Sequence, residues 1–322
     1  MHTPILLISF NRPAHTKRVL DAVLSQNPPD LYVFQDGVRP GNGTDLEKCL
    51  EVRKVIKDLV ELSPHTTVHR FFSEENLGCG PGPARAISWF FENVEQGIIL
   101  EDDAVPHPDF FMYAEDLLER FKDDSSVHAI GSMNVDTRKW GDGSYYFSMM
   151  NRNLCAWATW RRAWQCFDIE MKGISRWKLN CALHYYKCGL LERSFWCDRL
   201  AEVHKDGCGG KSWDMQFFMS IWLNHGKGII PNVNLSSNIG TVDDATHRMS
   251  PGNIIDNIPT RPILPLQHPS TEVIQYAADR EFHFRYFERN KKNWPILKTF
   301  QYTLNKWVKR LVGHQGPWIK KK

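Results

Sequence analysis

Residues 97–111, GIILEDDAVPHPDFF, combine a short apolar run with three consecutive carboxylates, Glu101, Asp102 and Asp103. An apolar run of this kind is typical of a buried strand in a parallel sheet, and open α/β sheets bind ligands at the carboxyl ends of their strands. Adjacent acids repel one another unless a positive charge lies between them, and Mg²⁺ or Mn²⁺ prefers carboxylate and phosphate oxygens. The stretch therefore predicts a strand that ends in a metal–diphosphate site, with a solvated acidic turn as the alternative.

Strands and helices alternate around this stretch. Apolar runs predict strands at residues 4–10, 31–35, 66–72, 97–101, 127–133 and 145–149, and helical periodicity predicts helices at residues 16–26, 45–62, 84–93, 108–121 and 215–223. Pro13 suits the first turn of a helix, because proline lacks an N–H that would be unpaired there. The alternation predicts an α/β protein with a mostly parallel sheet and helices on both of its faces.

Polar side chains follow three of the predicted strands. They are Asn11 and Arg12 after the first strand, Asp36 after the second, and the acids at 101–103. In a doubly wound sheet such ends can meet at a topological switch point, where an Asp after the second strand can pair with a base or a ribose. The glycine-rich loop 76–82 follows the third strand, and a tight turn is its alternative interpretation. The sequence has neither a GxGxxG pattern after the first strand nor a Walker A lysine motif.

Composition predicts a soluble globular chain. The 322 residues are 42% hydrophobic and 24% charged. The eight cysteines, the absence of a signal peptide and the absence of an apolar run near the roughly 18 residues of a membrane span predict a cytoplasmic protein with reduced thiols. The cysteines and histidines between 181 and 208 leave a zinc site as a weak alternative, because their spacing matches no strong zinc pattern. We expect no nucleic-acid partner.

Basic residues concentrate near the C-terminus. Eleven Lys and Arg and one acid lie from Arg285 onward, so this part carries +10 and leaves −7 for the rest of a chain with a formal charge of +3. Leu304, Trp307 and Leu311 belong to an apolar stripe of helical spacing. Such a basic amphipathic helix can lie on an anionic membrane surface, and packing on the chain's own catalytic domain is the alternative.

Several strings together resemble the Golgi N-acetylglucosaminyltransferase I family and bacterial nucleotide-sugar transferases of the same GT-A class. These are PILLISFNRPAHTKRVLDAVL, LYVFQDG, GIILEDDAVPHPDFFMYAEDLL, LCAWATWRRAW, SWDMQF and NLSSNIG, with NLG at 76–78 and DDATH at 243–247. The resemblance implies a GT-A, Rossmann-like catalytic domain at 1–250, with a helical insertion at about 165–211. It leaves a C-terminal extension at 251–322.

The resemblance also implies an inverting glycosyltransferase with a UDP-sugar donor and Mn²⁺ or Mg²⁺ as cofactor. Its acceptor would be a glycan or a lipid-linked glycan, reached from the cytoplasm or the inner face of the membrane. The resemblance implies that Asp103 and His247 bind the metal. Asp214 matches the family's general base, whereas Met215 stands where the family has a second acid. The residues expected to bind the nucleotide sugar are Phe10, Asn11, Arg12, Asp36, Asn76, Gly78, Arg85, Glu101, Asp102 and Trp213.

Other interpretations remain open at this point. Asp214 is also the kind of acid that the dipole favours at a helix N-terminus. Four tryptophans, Trp157, Trp160, Trp164 and Trp213, are candidates for a sugar platform, although tryptophans three and four residues apart are more often core packing. A nucleotidyltransferase, which also needs paired acids and Mg²⁺, and a non-catalytic nucleotide- or sugar-binding module are the alternative functions.

Overall fold

A mixed sheet of eight strands carries the sequence features described above. The computed structural model describes residues 1–136, 138–150, 155–206, 213–240 and 257–288. The strands are β1 Ile5–Ser9, β2 Asp30–Gln35, β3 Thr67–Phe72, β4 Gln96–Glu101, β5 Ala104–Pro106, β6 Val127–Gly131, β7 Tyr145–Ser148, β8 Ala156–Trp160, β9 Lys227–Pro231 and β10 Ser236–Asn238. The helices are α1 Pro13–Leu24, α2 Gly43–Glu61, α3 Pro81–Asn93, α4 Pro108–Arg120, α5 Arg161–Trp164, α6 Arg176–Tyr185, α7 Leu190–Asp206, α8 Asp214–Leu223 and α9 Tyr276–His283.

The strand order in the main sheet is β3-β2-β1-β4-β8-β6-β9-β7. Strands β3, β2, β1 and β4 are parallel, and β6 and β9 are parallel to each other. Strand β8 is antiparallel to both β4 and β6, and β7 is antiparallel to β9. The predicted α/β class with a mostly parallel sheet flanked by helices is therefore confirmed.

The two central strands have the composition that burial on both faces requires. All five residues of β1 are buried, as are residues 97–100 of β4. Gly97 lies so close to the ring of Phe90 that an added Cβ would be 2.3 Å from it, which explains why β4 carries a glycine there. The register pairs Ile8 of β1 with Glu101 of β4. The residues that follow β1 therefore lie beside the acids that follow β4.

Strand β8 is the main element that the sequence analysis did not predict. Trp157 and Trp160 belong to this strand, and Trp164 lies in the short helix α5. Each of the four candidate platform tryptophans is at most 6% exposed. Trp213 packs against Trp157 and Trp164 with ring centroids 5.9 Å apart in both pairs. All four side chains therefore pack in the core. Trp157 and Trp160 are buried because a strand in the middle of a sheet is covered on both faces.

The predicted helical insertion contains α6 and α7, joined by residues 186–189. The first compact unit of the chain is Met1–Asp279, and it includes residues 257–279, where the N–H of Arg261 donates to the carbonyl of Asn234 at 2.9 Å. The second unit, Arg280–Lys322, is described as far as residue 288 and contains the end of α9 and a π-helical turn, Phe284–Glu288. The predicted amphipathic helix lies outside the described residues. Within those residues, no helix is long and apolar enough to cross a membrane.

Candidate active site

The ends of β1 and β4 meet at one edge of the sheet, as the topology requires. The N–H of Phe10 donates to Oδ2 of Asp102 at 3.3 Å. Arg12 donates through Nη1 to Oδ2 of Asp103 at 2.9 Å, and the same nitrogen is 3.6 Å from Oδ1 of Asp102. Strand β1 lies between β2 and β4, so this is the switch point where doubly wound sheets bind ligands. The structure thus brings together four of the predicted site residues.

Glu101 and Asp102 hold their protons unusually tightly. Burial, reinforced by the charge of Asp103, raises the pKa of Glu101 to about 8 and that of Asp102 to about 7. Burial lowers the pKa of Arg12, but the attraction of Asp102 and Asp103 outweighs it, so the net shift is upward. One guanidinium faces three carboxyl groups, so full ionisation of Glu101 and Asp102 is disfavoured unless a further positive charge is supplied.

The two carboxylate oxygens of Asp103 have different surroundings. Oδ2 accepts from Arg12, whereas Oδ1 is buried and has no hydrogen-bond partner among the described residues. The backbone closes over the carboxylate, because the N–H of Ile239 donates to the carbonyl of Asp103 at 2.8 Å. A Cβ at Gly240 would lie 2.1 Å from Oδ2, so this position tolerates no side chain without displacing the acid. A buried acceptor without a donor is costly, and a bound cation would satisfy it.

Cys155 is a member of this cluster that the sequence analysis missed. One ligand atom each from Glu101, Asp103 and Cys155 lies within 4.8 Å of the others, and no other group of this kind is found among the described residues. Burial and the neighbouring acids raise the pKa of the Cys155 thiol well above its usual value, so the sulfur keeps its proton and donates to Glu101. The cysteine precedes β8, and only the pairing of β8 with β4 brings it to the acids.

Asp214, at the start of a different element, lies close enough to the same acids to act on them electrostatically. It is the first residue of α8, and its Oδ1 accepts from the N–H of Met215 at 2.9 Å. Its charge contributes to the raised pKa values of both Glu101 and Cys155. The buried ring of Trp213 anchors the start of the helix. The acids of the candidate site therefore come from two elements, the segment after β4 and the start of α8.

Asp36 is buried and makes four hydrogen bonds. Its Oδ1 accepts from the N–H groups of Gly37 at 2.9 Å and Leu77 at 2.8 Å. Its Oδ2 accepts from Nδ2 of Asn76 at 3.1 Å and from the N–H of Gly78 at 2.9 Å. These four donors fill the acceptor positions of a carboxylate. Asp36 therefore holds the glycine-rich loop against the end of β2, and burial outweighs its backbone donors and raises its pKa.

Two other predicted residues contact neighbouring structure rather than the acids. Asn11 donates through Nδ2 to Oδ1 of Asp45 at 2.8 Å, which ties the end of β1 to α2. Arg85 is half-exposed on α3, where it lies 3.5 Å from Glu92 and 5.4 Å from the ring centre of Phe71. His247 lies outside the described residues, and so does the cysteine at 208 of the zinc alternative. No disulfide occurs among the cysteines of the described ranges.

Comparison with solved structures finds remote likenesses. A mannosyltransferase from Pyrobaculum calidifontis in complex with GDP-Man and Mn²⁺ is 13% identical, with 69% of each chain covered and a TM-score of 0.38. Mouse xyloside xylosyltransferase 1 is 15% identical over 70% of this chain and 83% of that chain, with a TM-score of 0.33. A UDP-glucose pyrophosphorylase complexed with UDP-glucose is 7% identical over 73% of this chain and 92% of that chain, with a TM-score of 0.39.

No protein-family profile matches the sequence, and no curated protein sequence is significantly similar to it. The structural likenesses are too remote to assign an activity to this chain. What the site can do is therefore argued from its own residues.

Proposed function

We propose that this protein is a metal-dependent glycosyltransferase that moves a hexose or an N-acetylhexosamine from a UDP-sugar to a hydroxyl of a glycan or lipid-linked glycan, with inversion at the anomeric carbon. One observation carries the proposal. At the switch point of the sheet, Asp103 pairs one oxygen with Arg12, and its other oxygen is buried without a donor from the described part of the chain. A cation and an anionic group together would complete this arrangement.

The residues present fit Mn²⁺ or Mg²⁺. Asp103 supplies an unsatisfied carboxylate oxygen, and Glu101 lies within reach of the same position. Hard cations take carboxylate oxygens, whereas a protonated thiol is a poor ligand for them. We assign Asp103 as the metal ligand, with His247 as a second candidate. When bound, the ion would offset the negative charge that develops on a departing nucleoside diphosphate.

Arg12 and the strand ends would hold the donor. The Arg12 guanidinium carries a permanent charge at the switch point and suits a diphosphate. Asp102, fixed by the N–H of Phe10, would contact the ribose or the sugar, and Glu101 would contact the donor sugar. The loop that Asp36 holds would border the base, and contact between Asp36 itself and uracil stays a prediction. Asn11, Asn76, Gly78, Arg85 and Trp213 complete the proposed donor-binding set.

Asp214 would act as the general base. An acceptor hydroxyl attacks the anomeric carbon while the bond from that carbon to the diphosphate oxygen breaks. The hydroxyl proton passes to the Asp214 carboxylate, and UDP leaves with the bonding electrons. A carboxylate on the side opposite the leaving group meets the geometric need of inversion. Its position as the first residue of α8 holds it in place, because the helix itself is buried in the core.

The nucleotidyltransferase alternative finds less support. It would need a basic glycine-rich loop after the first strand to bind a triphosphate. Here only Phe10–Arg12 separate β1 from Pro13, and this connection contains one basic residue.

The test is Mn²⁺-dependent binding and hydrolysis over a panel of UDP-sugars. A transferase releases UDP and free sugar slowly when water replaces the acceptor, and chelation with EDTA should stop this release. Product NMR should show the inverted anomer. A nucleotidyltransferase would instead consume a nucleoside triphosphate and a sugar phosphate and release pyrophosphate. A binding module would bind UDP without releasing sugar, and either result would contradict the proposal.

A further inference from the structure

The helical insertion exposes several large apolar side chains. Within residues 177–191, the exposed fractions are 76% for Trp177, 58% for Tyr185, 77% for Leu190 and 49% for Leu191. Trp177 and Tyr185 are eight residues apart on α6, so they lie roughly on one side of the helix. Scattered apolar residues on a surface need no explanation, but a cluster of large ones marks an interaction surface.

These side chains point away from the body of the protein. The buried residues of α6 are Leu179, Ala182 and Leu183. At 100° per residue, Trp177 lies about 160° from Leu179, on the opposite side of the helix. The Trp177 side of α6 is therefore not part of the core.

The turn between α6 and α7 is held rigidly while its apolar residues stay outside. The buried Tyr186 donates its hydroxyl to the carbonyl of Gly226 at 2.5 Å. The Tyr185 ring packs edge-on against His225, with centroids 4.6 Å apart, and still remains half-exposed. Leu190 and Leu191 begin α7 directly after this turn. The anchored turn thus presents two leucines and a tyrosine to solvent as one unit.

The same segment is basic. Residues 171–191 contain Lys172, Arg176, Lys178 and Lys187 and no acid. Arg176 pairs with Asp198 of α7 at 3.3 Å, and Lys172 pairs with Glu170. Lys178 is exposed on α6, and Lys187 lies in the turn with its ammonium 4.8 Å from the ring centre of Tyr276. Positive charge therefore flanks the apolar side chains at both ends of α6.

We propose that this face, defined by Trp177, Tyr185, Leu190 and Leu191 with Lys178 and Lys187, docks on an anionic phospholipid surface. Tryptophan and tyrosine suit a membrane interface because each has an apolar body and a polar group. The leucines would enter the boundary of the acyl chains while the lysines contact the head groups. The proposal does not depend on the activity assigned to the acid cluster, because it concerns a separate surface.

The experiment is co-sedimentation of the full chain with vesicles of phosphatidylglycerol and phosphatidylcholine, compared with phosphatidylcholine alone. The main variant is Leu190→Ser/Leu191→Ser. Its matched control is Leu46→Ser/Leu50→Ser, which replaces two leucines of α2 that are 55% and 53% exposed. Two further variants test the rest of the face. Trp177→Ser tests its aromatic part, and Lys178→Glu/Lys187→Glu tests its basic part. Circular dichroism checks that each variant folds, which exposed positions should allow.

We expect the wild type to bind anionic vesicles at low salt and to bind less at high salt. The double-serine variant should lose about a hundredfold or more in partition coefficient, the scale for two leucines that leave an apolar phase, and the α2 control should bind as the wild type does. The proposal is overturned if Leu190→Ser/Leu191→Ser and Lys178→Glu/Lys187→Glu both bind anionic vesicles as the wild type does. This holds whatever the basic residues near the C-terminus contribute. Equal binding to neutral vesicles would also overturn it. A concentration-dependent dimer that only the Leu190/Leu191 variant loses would assign the face to a second copy instead.

Discussion

Asp36 and Asp103 lie at the same edge of the sheet, but their carboxylates differ in the hydrogen bonds that they accept. Asp36 follows β2 and accepts four hydrogen bonds from its own protein. Asp103 follows β4 by two residues, and its buried Oδ1 receives no hydrogen bond from any residue that the structure describes. A carboxylate whose acceptor positions are all filled holds structure, whereas a buried one with a vacant position is suited to a ligand. Position at a strand end therefore does not by itself decide the role of an acid.

The largest effect should come from Asp103→Ala. We expect it to abolish Mn²⁺-dependent UDP binding, because the unsatisfied oxygen is the proposed metal ligand. The melting temperature should not fall, since the change removes one of three mutually repelling acids and Arg12 keeps Asp102 at 3.6 Å. Calorimetric titration of UDP with Mn²⁺ and with EDTA measures the first point. Wild-type UDP affinity in the presence of Mn²⁺ would show that the metal lies elsewhere.

Asp214→Asn should separate chemistry from binding. The amide keeps an oxygen for the Met215 N–H but cannot accept a proton, so turnover should fall at least about a hundredfold, the scale of positioned acid–base catalysis. UDP affinity with Mn²⁺ should remain that of the wild type, and this serves as the internal control. Release of UDP from the donor measures turnover. Near-normal turnover would place the base on another residue and leave Asp214 as a helix-terminal acid.

Asp36→Ala should destabilise the fold, whereas Asp103→Ala should not. It leaves the N–H groups of Leu77 and Gly78 without their acceptor, so we expect a loss of about 2–4 kcal/mol in the free energy of unfolding. Urea denaturation of both aspartate variants, side by side, measures the contrast. If Asp36→Ala is as stable as the wild type, the hydrogen bonds around it do not hold the loop and the comparison fails.

The smallest change is Asn76→Ala. It removes one of the four donors to Asp36 together with the hydrogen bond from Nδ2 to the carbonyl of Gly37 at 2.8 Å. The expected cost is about 1 kcal/mol in the free energy of unfolding, because the three backbone donors to Asp36 remain. A loss as large as that of Asp36→Ala would mean that the side chain of Asn76, rather than the N–H groups of Leu77 and Gly78, carries the attachment of the loop.

The strands of the first half of the sheet were predicted nearly to the residue, and the helices less well at their beginnings. Strand β4 begins at Gln96 rather than Gly97, but α1 begins at Pro13 and α3 at Pro81, three residues before the predicted starts. Strands buried on both faces are apolar from end to end, so their limits appear in the sequence. Periodicity detects a helix from its first core-facing residue, and it missed the first turns of α1 and α3, although the start of α4 at Pro108 was predicted correctly.

The second half of the sheet was harder to predict. The spacing of Trp157, Trp160 and Trp164 matches a helix, yet the first two lie in β8. A strand that inserts antiparallel between β4 and β6 gains its hydrogen bonds from residues far away in the sequence. Local spacing contains no information about such partners.

The sequence alone was sufficient to predict that Arg12 and the acids at 101–103 would meet, because the carboxyl ends of neighbouring parallel strands lie at one edge of a sheet. It was also sufficient to select Asp214 as a candidate. Only the tertiary structure added Cys155 to the acids, buried the tryptophans and distinguished a saturated Asp36 from an unsatisfied Asp103. The reason is that burial and hydrogen-bond satisfaction depend on which distant segments pack together, and residue type records only the capacity for those interactions.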